Sequence, residues 1–202
     1  MIVEQKNFFV YASYTLERLA HSKCPSPAVT SIDFNDKDTA FGMVSADGFV
    51  YRFDLMAMKL KGDGNIHRTS DFKSCIFVEE PDGERFMTVG AENGRALLRV
   101  YNENEDNEFT YRDEGDEKEA LKRFTEICTV RSQPNSPGTF INYVLGTEQG
   151  SIQVHSSTMQ HFGVPFTSSS LHAGEVTRLI MSPDGKYLFS SGADGSIFII
   201  QL

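Results

Sequence analysis

The stretch Glu175-Val176-Thr177-Arg178-Leu179-Ile180-Met181, Ser182-Pro183-Asp184-Gly185, Tyr187 to Ser191, Asp194-Gly195 and Ser196 to Leu202 decides the fold. Short apolar runs alternate with turn-forming residues, the signature of three antiparallel strands in a meander. The same order recurs upstream as Ser74 to Val78, Pro81-Asp82-Gly83, Arg85 to Val89, Asn93-Gly94 and Ala96 to Tyr101. A first copy spans Ala28 to Leu55, with turns at Asn35-Asp36-Lys37-Asp38 and Asp47-Gly48. A weaker one spans Glu126 to His155, with Pro137-Gly138 and Thr147-Glu148-Gln149-Gly150.

Anchored on Gly48, Gly94, Gly150 and Gly195, the periods are 46, 56 and 45 residues. Periods of roughly 40 to 45 residues belong to four-stranded propeller blades. Apolar stretches between the copies, such as Phe8 to Tyr14 and Gln160 to Thr167, supply candidates for a fourth, outer strand, and the first of them could complete the last blade. The expected fold is therefore all-β: a propeller of about four four-stranded blades, in units of about 1–55, 56–101, 102–155 and 156–202.

Composition narrows the function classes. The chain has 202 residues, 40% of them hydrophobic, enough for one domain with a core. Nineteen Lys and Arg stand against 28 Asp and Glu, a net charge of −9 that disfavours nucleic acid as a partner. Cys24, Cys75 and Cys128 are odd in number and far apart, so neither a disulfide framework nor a zinc module is expected and a reducing interior is the natural setting. No apolar run approaches the roughly 20 residues of a membrane helix, so a soluble, cytoplasmic protein without a membrane role is expected. Trp is absent.

The residues resemble a named family most closely at the C-terminal end. His172-Ala173-Gly174-Glu175-Val176, Ser182-Pro183-Asp184-Gly185-Lys186-Tyr187-Leu188, Ser190 and Asp194-Gly195-Ser196-Ile197 are similar to a WD40 repeat over its whole length. In that family a His, a Ser or Thr, the turn Asp and a Trp form a hydrogen-bonded tetrad. The resemblance places His172, Ser190 and Asp194 in it, with Ile200 at the Trp position. In the first copy Asp47 keeps the turn, Phe53-Asp54 stands where Trp-Asp would be, and Met43 replaces the hydroxyl residue. Asn93 and Gln149 take the Asp position in the other two.

Residues 70 to 202 further resemble the end of the second propeller of axonemal WD-repeat proteins, the family of cilia- and flagella-associated protein 57. The order that carries this is Phe72-Lys73-Ser74-Cys75, Pro81-Asp82-Gly83, Val89-Gly90, Ala120-Leu121-Lys122, Leu145-Gly146-Thr147 to Gly150-Ser151-Ile152 and His172-Ala173-Gly174. Such proteins are scaffolds near inner dynein arms, so the resemblance implies a ciliary or flagellar setting and axonemal protein partners. Seven blades are typical of the WD40 family, so four imply either an incomplete propeller completed by another chain, such as an axonemal subunit, or one part of a larger propeller whose remaining blades lie elsewhere.

Candidate chemistry is sparse. An Asp before Gly in a tight turn tolerates left-handed geometry and bonds its own backbone, which favours structural roles for Asp47 and Asp194. His172 falls at a buried structural position of the resembled family. His21, His67, His155, His161 and His172 show no metal-ligand spacing, and no nucleophile elbow or phosphate-binding loop occurs. No catalytic, cofactor or metal residue and no small-molecule substrate is expected.

The stretch 102–123 reads as an acidic insertion. It holds Glu103, Glu105, Asp106, Glu108, Asp113, Glu114, Asp116, Glu117 and Glu119 against four bases, a net of −5 out of −9. It is a candidate docking arm for a basic partner, with a short helix over Glu117 to Phe124, or else a solvated insertion. Lys59, Lys61, His67, Arg68 and Lys73 form a modest basic segment around a Gly-rich turn. A non-catalytic scaffold is the first expectation. A propeller hydrolase with carboxylates in its channel, or an intracellular adaptor unrelated to cilia, are the alternatives.

Overall fold

The computed structural model describes residues 2–4, 7–24, 26–80, 83–102, 109–112, 123–131, 141–156, 165 and 167–202. These residues form strands and turns without a helix, so none is available to cross a membrane. In chain order the strands are β1 (Ile2–Glu4), β2 (Asn7–Tyr11), β3 (Arg18–Lys23), β4 (Val29–Phe34), β5 (Ala40–Ser45) and β6 (Phe49–Asp54). Then follow β7 (Lys59–Ile66), β8 (Ser70–Glu80), β9 (Gly83–Glu92), β10 (Arg95–Asn102), β11 (Phe109–Arg112) and β12 (Phe124–Arg131). The last six are β13 (Ile141–Thr147), β14 (Ser151–Ser156), β15 (Thr167–Ser170), β16 (Val176–Met181), β17 (Tyr187–Gly192) and β18 (Ile197–Gln201).

The strands pair only with sequence neighbours, giving antiparallel blades β4–β7, β8–β11, β12–β15 and β16–β18. The fold is a propeller of four blades, the fourth with three strands. A separate sheet, β1–β3, precedes them. The first strands therefore do not complete the last blade. Phe8 packs edge-on against Phe41 and Phe53 at 5.3 and 5.2 Å, which binds β2 to the first blade instead.

Each blade meets the next through one apolar layer. Phe8, Val10 and Ala20 join Phe41, Met43 and Phe53. Val44 and Val50 of the first blade join Phe72 and Phe86 of the second, and Met87, Val89 and Leu98 join Phe124, Ile127 and Tyr143 of the third. Val144 and Ile152 join Val176, Leu179 and Leu188 of the fourth. At about 1.5–3 kcal/mol per buried large apolar side chain, these layers dominate the stability of the array.

Parts of two expected loops are strands. Of the basic segment, Lys59 and Lys61 lie in β7, where pairing passes from Arg52–Lys61 to Val50–Asn65 across a bulge, Lys73 lies in β8, and His67 and Arg68 connect the two strands. The acidic insertion contains β11, which pairs with β10 as the outer strand of the second blade. The stretch is thus partly a blade component rather than wholly added to the repeat. The expected turn at Pro137-Gly138 lies outside the described residues, as does residues 117–122 of the expected helix, while Phe124 opens β12.

Candidate functional site

Tight turns between the second and third strands of each blade demand positive φ, and glycine supplies it at Gly48, Gly94, Gly150 and Gly195 (φ 83°, 75°, 86° and 79°). In the fourth blade the turn is closed by side chains. His172 Nε2 lies 2.7 Å from Ser190 Oγ, and His172 Nδ1 lies 3.4 Å from Asp194 Oδ1 and 2.8 Å from Ser196 Oγ. Asp194 Oδ2 accepts from the Ala173 N–H at 2.8 Å. The Ser196 hydroxyl and N–H, with that of Ala173, hold the Asp194 carboxyl well below the usual carboxylate range. The ring that meets His172 is Phe198, edge-on at 4.9 Å and paired across from Ser190. Ile200 stands opposite Leu188 and packs on the interblade layer.

The first blade rebuilds this arrangement from other groups. Asp47 Oδ1 accepts from Ser26 Oγ and Ser45 Oγ. Where the fourth blade has its His–Ser contact, Cys24 Sγ and Met43 Sδ lie 4.0 Å apart. Phe53 is in the core and Asp54 Oδ1 accepts from the Ala57 N–H at 2.8 Å, turning the chain toward β7.

The second blade relocates its carboxylate. Asn93 and Gly94 both have positive φ (51° and 75°), so they form a two-residue hairpin turn, and the acid is Glu92, one residue earlier. Glu92 Oε1 accepts from Arg99 Nη2 at 2.8 Å, Ser70 Oγ at 3.1 Å and Thr69 Oγ1 at 3.3 Å. Residue spacing missed Glu92 because it looked for an acid directly before the glycine. In the third blade the Thr147 and Ser151 hydroxyls bond each other at 2.7 Å, and Gln149 stays in the turn. The nine acids of the insertion, from Glu103 to Glu119, lie outside the described residues.

The first strands of the four blades, β4, β8, β12 and β16, surround a central cavity of about 300 Å³. Asp47, Asn93, Gln149 and Asp194 are turn residues and do not line it. The acids that do are Asp33 and Glu126, with Arg178 beside them. Both are engaged in holding strands together. Asp33 Oδ2 accepts from the Phe77 N–H at 2.8 Å. Glu126 accepts from Ser74 Oγ, from the Ile127 N–H at 3.2 Å and from Arg178 Nη1 at 3.1 Å. The thiols of Cys75 and Cys128 also face it, raised by burial, Cys128 to about 12, which leaves them protonated and poorly nucleophilic. Among the described residues no group of three potential metal ligands converges.

Asp33 gives a pH-dependent expectation. Burial raises its pKa above the ordinary carboxylate value, against the opposing N–H bonds from Phe77 and Phe34. The raised value means that the associated stability is full below the unfolded pKa of about 3.9 and is lost as pH rises through the folded value. Asp33→Asn should therefore raise Tm at pH 7 and leave it unchanged near pH 3. Thermal melts of both chains across that range would show it. A lower Tm for the variant at pH 7 would mean that the ionised carboxylate is net favourable here.

Repeating strand, turn and blade define the class: this is a β-propeller. Residues 163–201 match the family model of the WD domain, G-beta repeat. The chain is similar in structure to the β-propeller domain of Cps50 (Swd1) from Myceliophteria thermophila, with a TM-score of 0.74 and 15% identity, covering 97% of this chain and 58% of that one. It is also similar to the computationally designed Ika8 protein, with a TM-score of 0.66 and 18% identity, covering 100% of this chain and 57% of that one. The chain thus spans somewhat more than half the length of both. No curated protein matches it in sequence.

Proposed function

We propose that this chain is a non-catalytic scaffold that binds other proteins, working in a ciliary or flagellar axonemal complex. The observation that carries the scaffold reading is the propeller itself. Its blades are locked by interblade layers, while turns and connections at the rims vary independently, as in the different carboxylate arrangements of Asp47, Glu92 and Asp194. Its channel carboxylates are occupied by strand-to-strand hydrogen bonds, which supports binding over catalysis. The axonemal part rests on the residue order over 70–202 that resembles cilia- and flagella-associated proteins. The acids from Glu103 to Glu119 are the proposed contact for a basic partner.

Affinity capture with the tagged chain from ciliated cells tests both parts. Axonemal subunits should co-purify, and neutralising the nine acids to Asn and Gln should reduce their recovery at least tenfold. Recovery of cytosolic, non-ciliary proteins alone would replace the axonemal reading by a general adaptor. Turnover of a substrate by the purified chain would overturn the non-catalytic reading.

A further inference from the structure

The propeller presents an uncovered sheet face at each end of its array. In β16–β18, Ile180, Phe189 and Ile199 pair directly across the three strands and are 51%, 37% and 64% exposed. Ile197 and Tyr187 on the same sheet are 71% and 38% exposed. The other face of this sheet is the one sealed against the third blade through Val176, Leu179 and Leu188. At the opposite end, Phe8, Val10 and Ala20 are sealed against the first blade. Strand alternation puts Phe9, Tyr11, Leu19 and His21 on the remaining face, with Tyr11 and Leu19 37% and 53% exposed and Phe9 stacked on His21 at 5.0 Å.

These two faces are of the two kinds that meet at every internal boundary. Four times in this chain the trailing face of one sheet is covered by the leading face of the next. The exposed face of β16–β18 is a fifth trailing face, and that of β2–β3 is an exposed leading face. The β18 edge adds an unpaired row of backbone groups, since its described partner is β17 alone. We propose that copies of this chain associate head to tail, the trailing face of β16–β18 in one copy docking on the leading face of β2–β3 in the next. The occupant is a second copy because one molecule carries both halves of the contact, and the contact continues the layer-on-layer packing already built four times within it. Such heterologous contacts extend or close according to their rotation.

Native mass spectrometry and sedimentation over a concentration series test this. The chain should appear at no less than twice its 22.6 kDa mass. Ile199→Lys blocks the trailing face and Leu19→Lys the leading face, each at an exposed position, so each variant alone should be a folded monomer. Mixed, they should form 1:1 dimers and nothing larger, because one intact face of each kind remains. Ile197→Lys serves as the trailing-face variant if Ile199→Lys does not fold. A wild-type monomer at the highest soluble concentration overturns the proposal, and so does continued association of either variant by itself.

Discussion

Glu92→Ala will destabilise the chain by about 3–5 kcal/mol, the range for removing one partner of a buried ion pair. Glu92 and Arg99 side chains are 7% and 8% exposed, and Arg99 Nη2 donates to Glu92 Oε1 at 2.8 Å. Without the carboxylate, a guanidinium in the interior between the first and second blades loses the Glu92 charge beside it, and the hydroxyls of Ser70 and Thr69 lose this acceptor. Glu92→Gln keeps an acceptor but not the charge, so it should cost less. The double variant Glu92→Leu, Arg99→Leu should cost less than Glu92→Ala, because neither side chain then leaves a charge behind. Urea unfolding of the wild type, Glu92→Leu, Arg99→Leu and the double variant, arranged as a cycle, measures the pair. A loss below about 1 kcal/mol for Glu92→Ala would place the pair among solvent-screened ones.

That pair also shows where sequence reading stops. The blades were legible because positive φ at Gly48, Gly94, Gly150 and Gly195 imposes glycine at the same turn of each blade, and alternating runs between them fix the faces of each strand. The fourth blade was legible in detail because its His172, Ser190 and Asp194 kept both type and spacing. In the second blade, a turn shorter by one residue shifts the acid to Glu92, and its cation comes from the facing strand. Only the pairing register, with Arg95 opposite Glu92, brings these positions together. The first blade went further and exchanged polar partners for the Cys24–Met43 sulfur contact. Nothing in residue type announces that exchange. Outer strands were harder still: β7 carries two glycines and β11 is a four-residue strand between two runs of acids, so both read as loop, because an outer strand needs only one paired edge and little burial.

A matched pair of turn glycines should separate backbone strain from packing between blades. Gly48 and Gly195 occupy the same turn of the first and fourth blades with nearly the same φ, 83° and 79°. Alanine at either position takes on the left-handed cost of about 1–2 kcal/mol. Their surroundings differ. A Cβ on Gly48 would lie 2.0 Å from the carbonyl oxygen of His67 and 3.1 Å from that of Ser70, in the connection to the second blade, whereas one on Gly195 would meet nothing within 4 Å. His67 N–H also donates to the Gly48 carbonyl at 2.8 Å, so the obstacle is hydrogen-bonded backbone that cannot swing aside like a side-chain tip. Gly195→Ala should therefore cost the strain alone. Gly48→Ala should cost at least about 1–3 kcal/mol more, as overpacking typically does. Gly150, whose Cβ would lie 2.2 Å from the His172 carbonyl, should follow Gly48. Equal losses at Gly48 and Gly195 in urea unfolding would show that the link between blades yields. The ordering expected here instead makes the turn glycine the point where one blade is fastened to the start of the next.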